Sequence, residues 1–362
     1  MDFRQVLQNF KINEKILSVE KYGAGHINET FIVQCEGAKF ILQSLNTQIF
    51  PNYVGVMDNI AKVTAFMKKK YKEEGKDVHS LLYLIKTRDE KNYLTIQDKC
   101  FRVFNYVENS IVYQQTSDLN ILKEAGFGLG NFISDLNDFN AKELVEVIPN
   151  FHNTKIRFEA FKQSIKEDKA YRVNSVQKEI NFILDREAYA SEIVDKIENK
   201  IIPIRVTHND TKLNNFMFDE KTKKFLCLVD LDTIMPGSLL YDFGDAIRIA
   251  CSTAGEEERD LDKVTFDIKA YEAFLMGFLQ GIKGNIKKEE AELLHISAKI
   301  MTFEIGMRFL KDYLDGDVYF KIVEEDQNLV RARTQLKMVE EIERHEKEME
   351  KMLYKYYNSI IE

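Results

Sequence analysis

Residues 208–215 read HNDTKLNN, directly after the apolar run IIPIRV (201–206) and ahead of a second apolar run, FLCLVDLD (225–232). A polar turn between strands is the plain reading, since Asn and Asp form turns readily. The ordered set is more particular than that. His208, Asp210, Lys212 and Asn215 stand as H-x-D-x-K-x-x-N, and Asp230 follows Asn215 by fifteen residues. If the two apolar runs are neighbouring strands, Asp210, Asn215 and Asp230 converge. One carboxylate then accepts a proton from an attacking hydroxyl. A second carboxylate and an amide oxygen hold a hard cation that prefers oxygen ligands. Such a cation bridges phosphate oxygens and offsets the charge that builds on them. The chemistry implied is phosphoryl transfer to an alcohol.

Outward from this segment, the chain divides in two. Residues 15–45 alternate apolar and β-branched runs with glycine turns, the pattern of β-structure. Residues 51–72 predict a helix with proline near its start, and residues 3–12 a shorter one. HSLLYLIK and KCFRVFNYV are two further strands. Five strands and one long helix before about residue 107 predict a small antiparallel first domain, 1–107. Residues 108–362 then read as a larger, mainly helical domain around the central motif. The helix expected at 115–136 carries three glycines. The last segment places Leu329, Ala332, Leu336, Val339 and Ile342 at helical spacing, an apolar stripe that packs within the chain.

The 362 residues suffice for two domains with a sizeable core. A net charge of −8 and no dense basic stripe argue against a nucleic-acid partner. Cys35, Cys100, Cys227 and Cys251 lack metal-ligand spacing and read as buried thiols in a reducing cytosol. The first fifteen residues lack a signal-peptide core, and no run of eighteen apolar residues exists, so no membrane span is expected. A cytoplasmic monomer is the expectation.

The loop spacing resembles the protein-kinase catalytic loop, in which an Asn follows the catalytic Asp by five residues. It is more similar to the small-molecule kinases of the aminoglycoside phosphotransferase and choline kinase superfamily. VTHNDTKLNNFMFD, VDLDTIMPGSLLYDFGDAIR and TFEIGMRFLKDYLDGDVYF resemble, closest of all, the N-acetylhexosamine 1-kinase family, over about residues 20–350. The resemblance implies an α+β, protein-kinase-like two-lobed fold, with a small antiparallel β-rich N-lobe and a large mainly helical C-lobe. It implies Asp210 as catalytic base, Asn215 and Asp230 as magnesium ligands, and ATP as donor. The implied product is the 1-phosphate of GlcNAc, GalNAc or a related hexose; the alternative is a kinase for choline, an amino alcohol or an aminoglycoside. Asp242, Phe243 and Gly244 spell DFG, but they lie twelve residues past Asp230 and match the segment that braces the loop. Asp232 reads equally as a second metal contact or as an acceptor behind the metal ligands.

The remaining site residues follow from the same frame. Gly23 and Gly25 in GAGHINETF permit close backbone approach to phosphates. Gln43 occupies the strand position where protein kinases carry a phosphate-pairing lysine, so that cation stays unassigned; Lys212 is the best nearby one. Asn105 and Val107, in the strand and connector FRVFNYVEN, are placed to receive adenine through backbone groups. On the acceptor side stand His26, His152, Arg308 and Tyr319. Arg308 lies in the apolar helix FEIGMRFL, where a charge needs either a structural partner or a ligand. A protein kinase is disfavoured by the missing A-P-E segment. A sulfatase is excluded because CSTAG (251–255) lacks the required proline and arginine. A non-catalytic nucleotide binder would not need the full acid set.

Overall fold

The computed structural model describes residues 2–23 and 28–360. The fold is α+β and two-lobed, with a β-rich N-terminal region and a mostly helical C-terminal region. One compact unit comprises Met1–Val112, Asp135–Pro149 and Phe216–Pro236; the other comprises Tyr113–Ser134, Asn150–Asn215 and Gly237–Glu362. The chain therefore passes between the units several times, where sequence reading drew a single boundary at residue 108. Two stretches that are remote in sequence complete the β-rich unit.

In that unit α1 (Phe3–Leu7) precedes β1 (Ile16–Lys21), β2 (Glu29–Cys35) and β3 (Lys39–Leu45). After α2 (Tyr53–Glu73) come β4 (Leu84–Ile85), β5 (Leu94–Ile96), β6 (Lys99–Asn105) and β7 (Ser110–Ile111). The strand order is β1-β2-β3-β6-β4, with β5 also on β6, and every pairing is antiparallel. Apolar residues such as Val33, Leu42, Phe101 and Val103 meet Val6, Leu7 and Phe10 beneath the sheet. Asn52 caps α2 by accepting the Gly55 N–H, and Lys70 and Lys72 in the last turn complement the helix dipole. The helix expected over 3–12 stops at Leu7, because the Lys11 N–H donates instead to the Lys86 carbonyl.

The helical unit begins with α3 (Leu119–Asp135), followed by α4 (Thr154–Glu167), α5 (Gln177–Leu184), α6 (Glu192–Glu198) and β8 (Arg205–Thr207). The chain then supplies β9 (Phe216–Asp219) and β10 (Phe225–Leu228) to the β-rich unit, and β11 (Met235–Gly237), which pairs with β8. Helices α7 (Leu239–Ala250), α8 (Ile268–Ile282), α9 (Lys288–Ala291), α10 (Leu294–Asp315) and α11 (Gln327–Ile360) complete the chain. The runs IIPIRV and FLCLVD are not neighbours, contrary to expectation. Strand β10 pairs with β9, the FMFD segment directly after the polar loop, in the order β10-β9-β7. A hairpin thus separates the loop from Asp230. The apolar stripe of α11 packs within the chain, against Phe303, Met307 and Leu310 of α10 and Phe158 and Phe161 of α4.

The glycines of α3 are explained by a close crossing with α8. A Cβ at Gly126 would lie 2.0 Å from the Phe274 carbonyl oxygen, and one at Gly277 would lie 1.9 Å from that of Lys123. These are backbone atoms of packed helices and cannot swing aside. Gly277→Ala is expected to destabilise the helical unit by about 3 kcal/mol, read from the denaturation midpoint. An unchanged midpoint would show that the crossing relaxes freely.

Candidate active site

The polar loop is held open by bonds from outside itself. The backbone N–H groups of His208 and Asn209 donate to the two oxygens of Asp242, at 2.8 and 2.7 Å. The Thr211 N–H donates to Asp245 at 3.1 Å, and its hydroxyl donates to the Asp242 carbonyl at 2.6 Å. Buried backbone donors need acceptors, and a loop this short cannot supply them. With its backbone satisfied from α7, the loop is free to present side chains. Asn215 turns its amide nitrogen to the Asp210 carbonyl (2.8 Å) and carboxylate (3.1 Å). Its amide oxygen therefore points away from Asp210. Lys212 Nζ lies 3.1 Å from the other Asp210 oxygen. That carboxylate raises the lysine pKa against the opposing pull of burial, which keeps Lys212 charged.

The DFG string is confirmed as a brace. All three residues lie inside α7 and are buried. Phe243 packs edge-on against Tyr271, Phe274 and Phe278, and a Cβ at Gly244 would meet the Ser297 carbonyl oxygen at 2.5 Å. Both oxygens of Asp242, in the first turn of α7, are taken up by the loop N–H groups. Gly237 opens the same segment, and there a Cβ would collide with the Thr207 hydroxyl at 2.5 Å. Burial pushes the Asp242 carboxyl up to about 6, although the loop N–H groups and His208 pull the other way. Burial acts on Asp245 as well, but the Arg248 and Lys212 charges outweigh it and hold that carboxyl low.

The Asp242 shift gives a signed pH dependence. Between the ordinary aspartate pKa and about 6 the folded protein binds the extra proton. The group's contribution to stability is therefore full below the ordinary value and is lost as pH rises through about 6. Activity should move the opposite way, because a protonated carboxyl accepts one loop N–H fewer. Turnover is expected to fall with a midpoint near pH 6 while the melting temperature does not fall with it. A kcat–pH profile beside a melting series checks this. A flat kcat from pH 7 to 5 would remove the bracing role.

A second cluster lies in the same unit. His152, only 6% exposed, has its Nδ1 2.8 Å from Glu304 Oε1, and the Thr154 hydroxyl donates to the other Glu304 oxygen at 2.6 Å. With Nδ1–H directed to a carboxylate, Nε2 is the acceptor of the neutral ring. That buried Nε2 has no hydrogen-bond partner among the described residues. Arg308 is 8% exposed and is likewise without a hydrogen bond or ion pair among them. Its guanidinium is bounded by the rings of Phe151 (5.2 Å), Phe320 (5.6 Å) and Tyr319 (5.8 Å). Tyr319 is itself 64% exposed and is fixed by its backbone: Asp312 accepts the N–H groups of Val318, Tyr319 and Phe320. Arg157, half-buried, donates to the Phe151 carbonyl, and burial followed by the Arg308 charge lowers its pKa.

In the β-rich unit, Gly23 has φ +73°, a turn conformation suited to glycine. Gly25 and His26 lie outside the described residues. Gln43 is committed to its neighbours, donating to the Thr30 hydroxyl at 3.1 Å and accepting from Arg102 Nε at 2.9 Å. Asn105 spends its side chain on the segment beside it, accepting from the Tyr83 N–H and donating to the Leu81 carbonyl. The Val107 carbonyl accepts from the Ser110 hydroxyl. Asp230 adopts φ 59°, ψ 58° at the turn ending β10, a left-handed conformation that costs a non-glycine residue energy and recurs at functional turns. Asp232 is 2% exposed and faces Arg102 and Asn28, which makes it an acceptor inside the fold rather than an open metal contact.

A family model described as the phosphotransferase enzyme family matches residues 18–273, well over half of the chain. The chain belongs to the phosphotransferase enzyme family. Solved structures share the fold at low identity. An aminoglycoside phosphotransferase from Alicyclobacillus acidocaldarius aligns with a TM-score of 0.59 at 12% identity, covering 97% of this chain and 96% of that one. A spectinomycin phosphotransferase in complex with ADP and spectinomycin gives 0.57 at 11%, covering 95% and 97%. A choline kinase from Cryptosporidium parvum gives 0.56 at 13%, covering 99% and 97%.

Two residues of this phosphotransferase were not singled out from sequence, Arg102 and Glu304. Each is a lone charge in an otherwise apolar run, CFRVF and TFEIGM, and that is the signal that finds them. Among the described residues no three His, Cys, Asp or Glu side chains gather as a metal cluster, and no helix is long and apolar enough to cross a membrane.

Proposed function

We propose that this phosphotransferase transfers the γ-phosphoryl group of ATP to the anomeric C1 hydroxyl of a neutral hexose, an N-acetylhexosamine or close relative. The observation that carries the acceptor class is Arg308: a buried guanidinium that makes no hydrogen bond or ion pair among the described residues and meets the Glu304 carboxylate only as a charge at longer range, walled by three rings, next to a second arginine and a buried imidazole. A buried cation left unpaired is costly unless a ligand supplies acceptors. Hydroxyl and amide oxygens of a sugar do so. A quaternary cation such as choline brings only a like charge toward Arg157 and Arg308, and wants a cage of rings or carboxylates instead.

Asp210 is the proton acceptor. An anomeric hydroxyl is more acidic than an ordinary sugar alcohol, so a carboxylate that orients it and takes the proton late is sufficient. The C1 oxygen forms its bond to the γ-phosphorus as the bond to the bridging β–γ oxygen breaks, and ADP leaves with that oxygen. No covalent enzyme intermediate is needed. Lys212 neutralises charge on the transferred group. His152 Nε2, Arg308 and Tyr319 orient the sugar, and Glu304 fixes the His152 tautomer; His26 is assigned to the same acceptor role by its place after the glycine turn. Gly23 and Gly25 serve the phosphates, and the backbone around Asn105 and Val107 serves adenine. The donor set suits a hard cation, since Asn215 keeps its amide oxygen turned away from Asp210 and Asp230 ends its strand in a special turn. Asn215 and Asp230 would hold magnesium, which supplies charge compensation to the phosphates when bound.

The reading is tested by ADP release with magnesium-ATP across acceptors. N-acetylglucosamine, N-acetylgalactosamine or a related free hexose is expected to support release, and choline and aminoglycosides are not. Release with choline or an aminoglycoside alone would overturn it.

A further inference from the structure

Arg102 sits on the central strand β6 with a side chain 1% exposed, among the largest fully buried side chains of the protein. Its Nη1 lies 2.5 Å from Asp232 Oδ1, a charge contact not aligned as a hydrogen bond, while its Nε donates to Gln43 Oε1 at 2.9 Å. The other Asp232 oxygen accepts from Asn28 Nδ2 at 2.7 Å, and Asn28 Oδ1 accepts the Asn46 N–H at 3.0 Å. Thr30, Gln43 and Arg102 are register partners across β2, β3 and β6. A polar row therefore crosses the sheet and ends on Asp232. At that end Asp232 accepts from Asn28 and itself lies in the turn that begins at Asp230. Asn59 of α2 adds a third hold, donating to the Ile234 carbonyl at 2.8 Å.

An ion pair buried this deeply is poor evidence for stability as such, because well-packed apolar residues of similar volume commonly serve as well. What the charges add is direction: a carboxylate that must face a guanidinium sets the rotation of its own backbone. The turn at Asp230 is such a backbone, left-handed at φ 59° and ψ 58°, a region that aspartate enters more readily than most residues but still at a cost. We propose that the Arg102–Asp232 pair is a positioning device for magnesium-nucleotide: it aims Asp230 and holds Asn28 without touching the nucleotide. The role rests on the kinase reading. Arg102 itself, buried and paired, is not the missing phosphate contact.

The test replaces both charges at once. Arg102→Met with Asp232→Leu keeps the volume apolar and leaves no orphan charge, so the double variant is expected to fold with a melting temperature near that of wild type. By calorimetry, wild type should bind ADP with magnesium more tightly than ADP with EDTA. The double variant should lose that magnesium increment, with magnesium-ADP affinity falling at least ~10-fold and the EDTA value moving little, and kinetics should show a raised KM for magnesium-ATP with the acceptor KM unchanged. Asp232→Asn, which keeps the shape, should show the same loss in smaller degree and serves if the double variant does not fold. A folded variant, double or single, that retains the full magnesium increment would overturn the positioning role while leaving the kinase reading intact. A wild type that binds no magnesium-nucleotide would overturn the kinase reading, and this role with it.

Discussion

Asp210→Asn is expected to lower kcat by about 10³-fold, the scale of a positioned proton acceptor, while KM for magnesium-ATP stays within a small factor. The substitution is nearly isosteric. Asn215 donates to the Asp210 backbone carbonyl as well as to its carboxylate, so the loop keeps one of those two bonds whatever stands at 210. The braces from Asp242 and Asp245 act on the backbone of His208, Asn209 and Thr211 and are untouched. What disappears is the acceptor of the sugar proton and the charge facing Lys212. Equal loss in kcat and kcat/KM is the signature of an interaction made only in the transition state. Steady-state kinetics with a melting curve decide it. Turnover within ten-fold of wild type would remove Asp210 as the base.

Arg308→Met separates a substrate contact from a structural one by opposite effects. If the guanidinium binds sugar oxygens, removing it should lower kcat/KM for the acceptor by about 10- to 100-fold, the worth of charge-assisted hydrogen bonds. Parameters for magnesium-ATP should not move. Stability should change little, because a buried charge without a hydrogen bond or ion pair among the described residues is replaced by a flexible apolar chain of similar length. A structural arginine would behave the other way, with a lowered melting temperature and an intact acceptor KM. Both readings stood open in FEIGMRFL as a sequence. The surroundings now favour the ligand, since the charge is ringed by Phe151, Tyr319 and Phe320.

Much of the architecture was legible because local pattern carries it. The polar loop, the strands of the first hundred residues, the long α2 and the stripe of α11 all follow from spacing. What escaped depended on partners remote in the chain. FMFD is four residues long and reads as the tail of the polar loop; only its pairing with FLCL makes it a strand. For the same reason the sequence does not show that a hairpin stands between IIPIRV and FLCLVD. Gly126 and Gly130 of α3 weaken a helix by propensity alone, and become necessary only once α8 crosses close by. Among site residues, the H-x-D-x-K-x-x-N spacing was legible because one short loop holds it. Arg102 with Asp232, and His152 with Glu304, lie far apart in sequence, so neither pairing is visible before the fold brings the partners together.

The central claim is phosphoryl transfer to a sugar at C1, and phosphorus NMR tests it most directly. Incubated with magnesium-ATP and a panel of hexoses and 2-acetamido hexoses, the protein is expected to yield ADP and a phosphate resonance split by coupling to an anomeric proton. A phosphate on C6, or no new sugar phosphate with any hexose, would contradict it.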